Sequence, residues 1–223
     1  MDNLIGVTER ADPTVNLRWL NWVEAKKPAI LITKMPRLLY PMISKDYNII
    51  VHCTITGLGH TVLEPNIDTT ETSLDYYHKF CDLLGKERVV LRIDPIIELT
   101  DFQRSISKES EGRTRISFLD LYNHATEKLS EVNANRPINQ TTFHKPLKER
   151  ISIWKELGRP ETCSEPGLPS TPCVSKIDCE ILGVEPSETR KGQRYSCGCL
   201  SNKTELCKGK KCTYKCLYCY WKN

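Results

Sequence analysis

The chain has 223 residues, of which eleven are cysteine, and its formal net charge is +4. No apolar run approaches the ~20 residues of a membrane span, and the first residues lack the basic start and apolar core of a signal peptide. We therefore expect a cytoplasmic protein without membrane association. In that reducing compartment, clustered thiols bind metals more often than they form disulfides.

The first 160 residues alternate between predicted strands and helices. Apolar, β-branched runs predict strands over residues 4–7, 29–33, 48–56, 88–93 and 115–119. Apolar side chains at helical spacing predict helices over residues 16–25, 72–84 and 145–157, and Gly85 is expected to end the second of these. The polar stretch 103–113 is expected to be an exposed loop or a helix start. The alternation favours parallel βαβ units, in an open sheet or in a partial or complete barrel.

The composition changes near residue 161, where prolines begin to interrupt regular structure. Nine of the eleven cysteines lie beyond residue 162, and residues 189–223 hold nine Lys or Arg and one acid. This positive charge could attract nucleic acid phosphates, or it could offset thiolates and an anionic ligand at a metal site. We therefore predict an α/β core at 1–160 and a Cys-rich metal-binding segment at 161–223, packed on that core.

Three cysteines near the end of the chain form a C-x3-C-x2-C motif: Cys212, Cys216 and Cys219, with Tyr218 before the third. Three thiolates can hold three irons of a [4Fe–4S] cluster and leave the fourth iron open for a ligand. The spacing resembles that of the radical S-adenosylmethionine (SAM) superfamily, in which the open iron binds SAM and the reduced cluster cleaves it to a 5′-deoxyadenosyl radical. The alternative is structural zinc, although zinc ribbons usually show paired C-x2-C knuckles.

Further motifs extend this resemblance along most of the chain. They are T-G-x-G at 56–59 with E-P-N at 64–66, R-x-D-P-I at 92–96, S-F-x-D-L-Y at 117–122, Cys163 with Glu165, Cys173, and C-G-C at 197–199. In this order they resemble the DUF1848 family, uncharacterised radical-SAM-like proteins. Two features differ from that family. Only Arg10 and Asp12 match its opening, and a strand-and-loop segment before Ala29 is missing, as expected for a shortened member.

The resemblance implies an α/β fold, a partial TIM-like (β/α) barrel with a loop-rich, Cys-rich C-terminal segment. The cluster loop usually comes after the first strand in such enzymes, so here it must be brought back onto the barrel or be permuted. The family motifs and the predicted strand ends together indicate two sets of site residues. The cofactor-binding candidates are Gly57, Gly59, Glu64 and Tyr218, and the catalytic candidates are Arg92, Asp94 and Asp120.

Each of these candidates has an ordinary structural alternative. The glycines would also suit a plain turn, and Glu64 could be a surface side chain. Arg92 and Asp94 could form a structural ion pair instead of lining the mouth of an active site.

A second metal site is predicted from four further cysteines, as an auxiliary iron–sulfur cluster or a zinc ion. They are Cys163, Cys173, Cys197 and Cys199, with Cys179 and Cys207 as possible substitutes. Free thiols packed in a loop are the alternative. Cys53 and Cys81 are expected to be small core residues.

The leading hypothesis is a radical SAM enzyme of unknown reaction type, with a [4Fe–4S] cluster and SAM as cofactors. An electron donor such as flavodoxin or ferredoxin would reduce the cluster. The substrate would be a small molecule or a nucleobase, and the basic segment keeps nucleic acid among the candidates, as in spore photoproduct lyase. The competing hypothesis is a zinc-binding, nucleic-acid-binding protein without catalysis.

Overall fold

Seven parallel strands form one curled sheet, a half-barrel, in the computed structural model. The structure describes residues 3–120, 122–133, 145–192, 196–208 and 212–219. The strands are β1 (Ile5–Val7), β2 (Ala29–Thr33), β3 (Ile49–Thr54), β4 (Val89–Ile96), β5 (Arg113–Phe118), β6 (Glu161–Thr162) and β7 (Lys203–Glu205). Their order is β6-β5-β4-β3-β2-β1-β7, and every neighbouring pair is parallel. The predicted α/β partial barrel is confirmed.

Helices connect most of these strands. They are α1 (Arg18–Glu24), α2 (Pro36–Leu39), α3 (Thr70–Leu84), α4 (Asp101–Lys108), α5 (Asn123–Asn133), α6 (Leu147–Glu156) and α7 (Lys176–Leu182). Gly85 ends α3 with a φ of 88°, as predicted. The polar stretch expected to be a loop or helix start contains most of α4, because Gln103 and Ile106 turn inward and are buried. No helix in the described ranges is long and apolar enough to cross a membrane.

The two faces of the sheet are assigned by alternation along the strands. Residues 29 and 31 of β2, 49, 51 and 53 of β3, and 89, 91 and 93 of β4 point outward into one apolar core. Helix residues such as Trp19, Val23, Tyr77 and Phe80 cover them, and all four are fully buried. Cys53 and Cys81 lie in this core, as predicted.

The opposite, concave face is covered by the Cys-rich segment. Ile30, Ile50 and Val90 on this face pack against residues beyond β6, among them Val174 and Leu182. In a closed barrel, further strands would complete the sheet and enclose this face. In this chain, loops and α7 cover it instead. The segment from residue 161 also adds β6 and β7 to opposite edges of the same sheet, so it shares both a sheet and a core with residues 1–160.

A buried ion-pair network joins the β6 edge to the rest of the molecule. Arg115 is fully buried on β5, and its Nε donates to Oε2 of Glu161 on β6 at 2.9 Å. Arg113 donates to Glu161 at 3.0 Å and to the buried Asp178 of α7 at 2.7 Å. Burial opposes ionisation of Glu161, but the guanidinium groups of Arg115 and Arg113 outweigh it and lower the pKa of this carboxyl. The network therefore holds β5, β6 and α7 in one arrangement.

Replacing Glu161 by Gln should destabilise the protein strongly. The change leaves the buried Arg115 guanidinium without its anion, and breaking a buried pair costs about 3 kcal/mol or more in the free energy of unfolding. The matched control is Glu156→Gln, because Glu156 pairs with Arg104 at an exposed site, 46% and 38% accessible. Thermal and urea unfolding measure both variants, and equal losses would show that the buried network contributes nothing beyond a surface pair.

Candidate metal and cofactor site

A cavity of about 230 Å³ opens at the carboxyl ends of the parallel strands. Its wall includes Glu9 after β1, Lys34 after β2, Asp94 in β4, Asp120 after β5 and Cys163 after β6. This end of the strands is where α/β barrels bind their substrates. All seven cysteines of the two predicted metal sites also line the cavity. They are Cys163, Cys173, Cys197, Cys199, Cys212, Cys216 and Cys219.

The loop of residues 212–219, here called the cluster loop, is brought back over the ends of the first strands. The Leu217 amide donates to the Leu63 carbonyl at 3.0 Å, and His124 Nε2 lies 2.9 Å from the Cys219 carbonyl oxygen. The Tyr214 hydroxyl contacts that of Thr14 in the loop after β1. The loop is therefore docked on the connections that come after β1, β3 and β5.

Lys34 is the centre of a polar network under the cluster loop. Its ammonium donates to Glu64 at 2.7 Å, to the Tyr218 hydroxyl at 2.9 Å and to the Asp94 carbonyl at 3.2 Å. Tyr218 also bonds Glu64, whose other oxygen accepts from Thr56 at 2.7 Å. Burial lowers the pKa of Lys34, but Glu64 and Cys216 outweigh that effect and the pKa is raised. Lys34 thus keeps a positive charge beside the cluster loop.

Burial favours the protonated form of two cluster-loop thiols, Cys212 and Cys216. Burial raises the pKa of Cys216 to about 12, although Lys34 opposes this. Burial also raises the pKa of Cys212, although hydrogen bonds with the backbone of Tyr214 and Asp12 act in the opposite direction. Such thiols are neutral near pH 7, and a bound metal ion would deprotonate them outright. Three cysteines around one cavity, with space beside them, fit a cluster that is held on one side only.

The three predicted catalytic residues are brought together in the cavity wall. Arg92, Asp94 and Asp120 all line it. Arg92 also forms an ion pair with Asp94, and its Nη1 donates to Cys173 Sγ at 3.1 Å. Arg92 and Asp94 therefore form an ion pair and also line the cavity. Arg92 connects the cluster-loop side of the wall with the second group of cysteines.

Three of the four predicted cofactor contacts are set back from the cavity. Gly57, Gly59 and Glu64 are not among the described residues that line it. Gly57 has a φ of +76°, and a side chain on Gly59 would lie 2.0 Å from the Asp68 carbonyl oxygen. The glycines thus shape the loop after β3. Glu64 is 1% exposed and supports Lys34 and Tyr218 from behind. Tyr218, the fourth predicted contact, does line the cavity.

The second group of cysteines also comes together. Cys163 Sγ lies 3.5 Å from Cys173 Sγ. Cys199 contacts both Cys173 and Cys197. Contacts from the Cys163 and Cys199 thiols, followed by the nearby Arg92 and Arg115, hold the pKa of Cys173 well below its ordinary value. The proposed substitutes lie elsewhere, since Cys179 is buried in α7 and Cys207 bonds the Asn16 carbonyl.

Two residues of the site were missed from the sequence. Lys34 comes directly after the apolar strand β2. A position near the end of a strand was also the reason for choosing Arg92 and Asp94. Glu9 comes after β1, and its carboxylate lies within 4.8 Å of the Cys173 and Cys199 thiols. Both residues could have been found by examining the first charged residue after every predicted strand.

Replacing Lys34 by Met should loosen the cluster loop. The change leaves Glu64 buried without its cation, which costs about 3 kcal/mol, and removes the bond to Tyr218. Hydrogen exchange measured by mass spectrometry should show faster exchange in peptides containing 212–219. Lys45→Met is the control, because Lys45 is exposed. Unchanged exchange in the Lys34 variant would mean that the network does not hold the loop.

Comparison with known proteins identifies a family without assigning an activity. No curated protein and no solved structure matches the sequence. A family model described as "Domain of unknown function (DUF1848)" matches residues 22–221, nearly the whole chain. The chain belongs to the DUF1848 family.

Proposed function

We propose that this protein is a radical SAM enzyme in which Cys212, Cys216 and Cys219 hold a [4Fe–4S] cluster. The observation that carries the proposal is that the three motif thiols and the polar residues at the strand ends line one cavity. If the motif lay on a tail that did not pack on the core, its thiols would not lie beside these residues. The match to the family covers residues 22–221 and assigns no activity.

When bound, the cluster and SAM would supply a 5′-deoxyadenosyl radical, and the protein's task would be to hold and shield the reacting groups. Tyr218 is 6% exposed and packs with Leu63 and Leu119, so this side of the cluster loop is closed to water. Lys34 places a positive charge beside Cys216, which offsets the negative charge of metal-bound thiolates.

The carboxylates in the cavity wall would orient the ligands. Asp94 and Asp120 can accept hydrogen bonds from amino and hydroxyl groups of SAM or of a substrate. Arg92 holds Asp94 by an ion pair and is itself 6% exposed, so its charge is fixed in place. These residues would therefore position groups of SAM or of a substrate.

Anaerobic reconstitution with iron and sulfide tests the proposal. After reduction with dithionite and addition of SAM, the wild-type protein should show iron–sulfur absorbance and release 5′-deoxyadenosine. Cys216→Ala should lose both, because the cluster then has two protein ligands. Cys207→Ala is the matched control and should retain both, since Cys207 is a fully buried thiol of the same segment that bonds Asn16.

The competing hypothesis of a zinc-binding nucleic-acid module makes the opposite prediction. It is favoured by exposed positive side chains in the Cys-rich segment, including Arg190, Lys191, Lys208 and Lys215. Zinc in the cluster loop, no 5′-deoxyadenosine and salt-dependent binding of a DNA duplex would contradict the radical SAM proposal. Production of 5′-deoxyadenosine together with such binding would instead indicate a nucleic acid substrate.

A further inference from the structure

Four thiols on the concave side of the half-barrel, here called the thiol tetrad, contact one another in succession. The tetrad comprises Cys163, Cys173, Cys197 and Cys199. Cys163 Sγ and Cys173 Sγ are 3.5 Å apart, and Cys173 and Cys199 lie within 4.8 Å together with Glu9. Thiolates bound to one tetrahedral ion at a metal–sulfur distance of about 2.3 Å lie roughly 3.8 Å from one another. A [4Fe–4S] cube holds its ligands further apart, because each thiolate bonds a different iron.

The tetrad draws its members from opposite edges of the sheet. Cys163 comes directly after β6, which forms one edge, and its amide donates to the Ile116 carbonyl of β5 at 3.0 Å. Cys197 and Cys199 precede β7, which forms the other edge. Cys173 lies between them in the chain, and the Leu200 amide beside the C-G-C pair donates to the Val174 carbonyl at 3.1 Å. An ion held by these thiols would therefore span the open side of the half-barrel.

The surroundings of the tetrad carry the charge that such an ion would need. A divalent cation with four thiolates has a net charge of −2. Arg92 donates to Cys173 Sγ at 3.1 Å, and the fully buried Arg115 lies on the neighbouring strand. Donors to ligating sulfur atoms fix the ligands and lower the cost of their charge.

Glu9 completes these surroundings without being needed as a ligand. Both of its carboxylate oxygens accept from Lys203 Nζ at 2.7 Å. Its negative charge is therefore matched within the protein. Four thiolates are the ligand set that is typical of a closed, structural zinc site.

From this geometry we infer that Cys163, Cys173, Cys197 and Cys199 bind one zinc-class ion, which joins the two edges of the half-barrel across its concave face. The ion has four protein ligands and no open position, so its role is structural. The four cysteines also form part of the wall of the cavity that the cluster loop shares. The inference is independent of the radical SAM proposal, because it uses none of the cluster-loop thiols.

The test uses the full chain with Cys212, Cys216 and Cys219 all replaced by Ser, so that only the tetrad can bind metal. We expect one zinc per chain and no acid-labile sulfide by elemental and sulfide analysis. Substitution with Co²⁺ should give the charge-transfer and ligand-field bands of a tetrahedral four-thiolate site. Chelation should lower the midpoint of thermal unfolding. The wild-type chain should carry the same zinc in addition to any iron, which guards against misfolding of the triple variant.

Single substitutions in the wild-type chain assign the ligands. Cys199→Ser should lose the zinc, whereas Cys179→Ser should retain it, since Cys179 is an equally buried thiol of the same segment outside the tetrad. Glu9→Gln should leave the cobalt spectrum unchanged. The inference is overturned if the tetrad binds a sulfide-containing cluster, if it binds no metal, or if Cys199→Ser retains full zinc content. None of these outcomes bears on release of 5′-deoxyadenosine.

Discussion

An open half-barrel has two apolar faces to bury, and in this protein the helices that precede β6 cover just one of them. The outer face lies under residues such as Trp19 and Phe80, while Ile30, Ile50 and Val90 on the inner face depend on the chain beyond β6. The Cys-rich segment provides that cover. The fold and the candidate metal sites are therefore coupled, because the loops that hold the thiols also complete the core.

This coupling explains why several charged side chains lie inside the molecule. Along β4 the inward positions change from Val90 to Arg92 and Asp94, and along β5 they include Arg115. On β3 and β4, apolar residues occupy the amino end of the inner face and polar residues occupy the carboxyl end, whereas β5 carries arginine at both 113 and 115. Bringing two groups of thiols to the polar end places potential anions beside fixed cations, which is the arrangement that buried metal–thiolate groups require.

The sequence was sufficient to predict the parts of the fold that repeat a pattern. The first five strands, α3 and the position of Gly85 are evident from periodicity, and the two cysteine groups are evident from spacing. The edge strands β6 and β7 have two and three residues, too few to show alternation, and their place depends on pairing with distant strands. Helix α7 begins with a capping box of Ser175 and Asp178 within a proline-rich region, where we expected loops.

Site residues could be predicted where a sequence motif contains them. They were harder to predict where long-range contacts determine the role of a residue. Lys34 has no motif, and its role arises because the cluster loop brings Tyr218 within 2.9 Å of it across 184 residues. Glu64, predicted as a cofactor contact, is set back from the cavity, and Thr56 and Lys34 bond its oxygens. No pattern in the local sequence contains these long-range partners.

The brevity of the two edge strands has a further consequence for behaviour at high concentration. An open sheet exposes unpaired backbone groups at both edges, and a long, flat edge invites a second molecule to extend the sheet. Here one edge strand has two residues, of which Thr162 already accepts a hydrogen bond from the Thr171 amide, and the other edge strand has three. Such short edges give another copy of the chain little length to pair with, so the half-barrel stays open without becoming a template for aggregation.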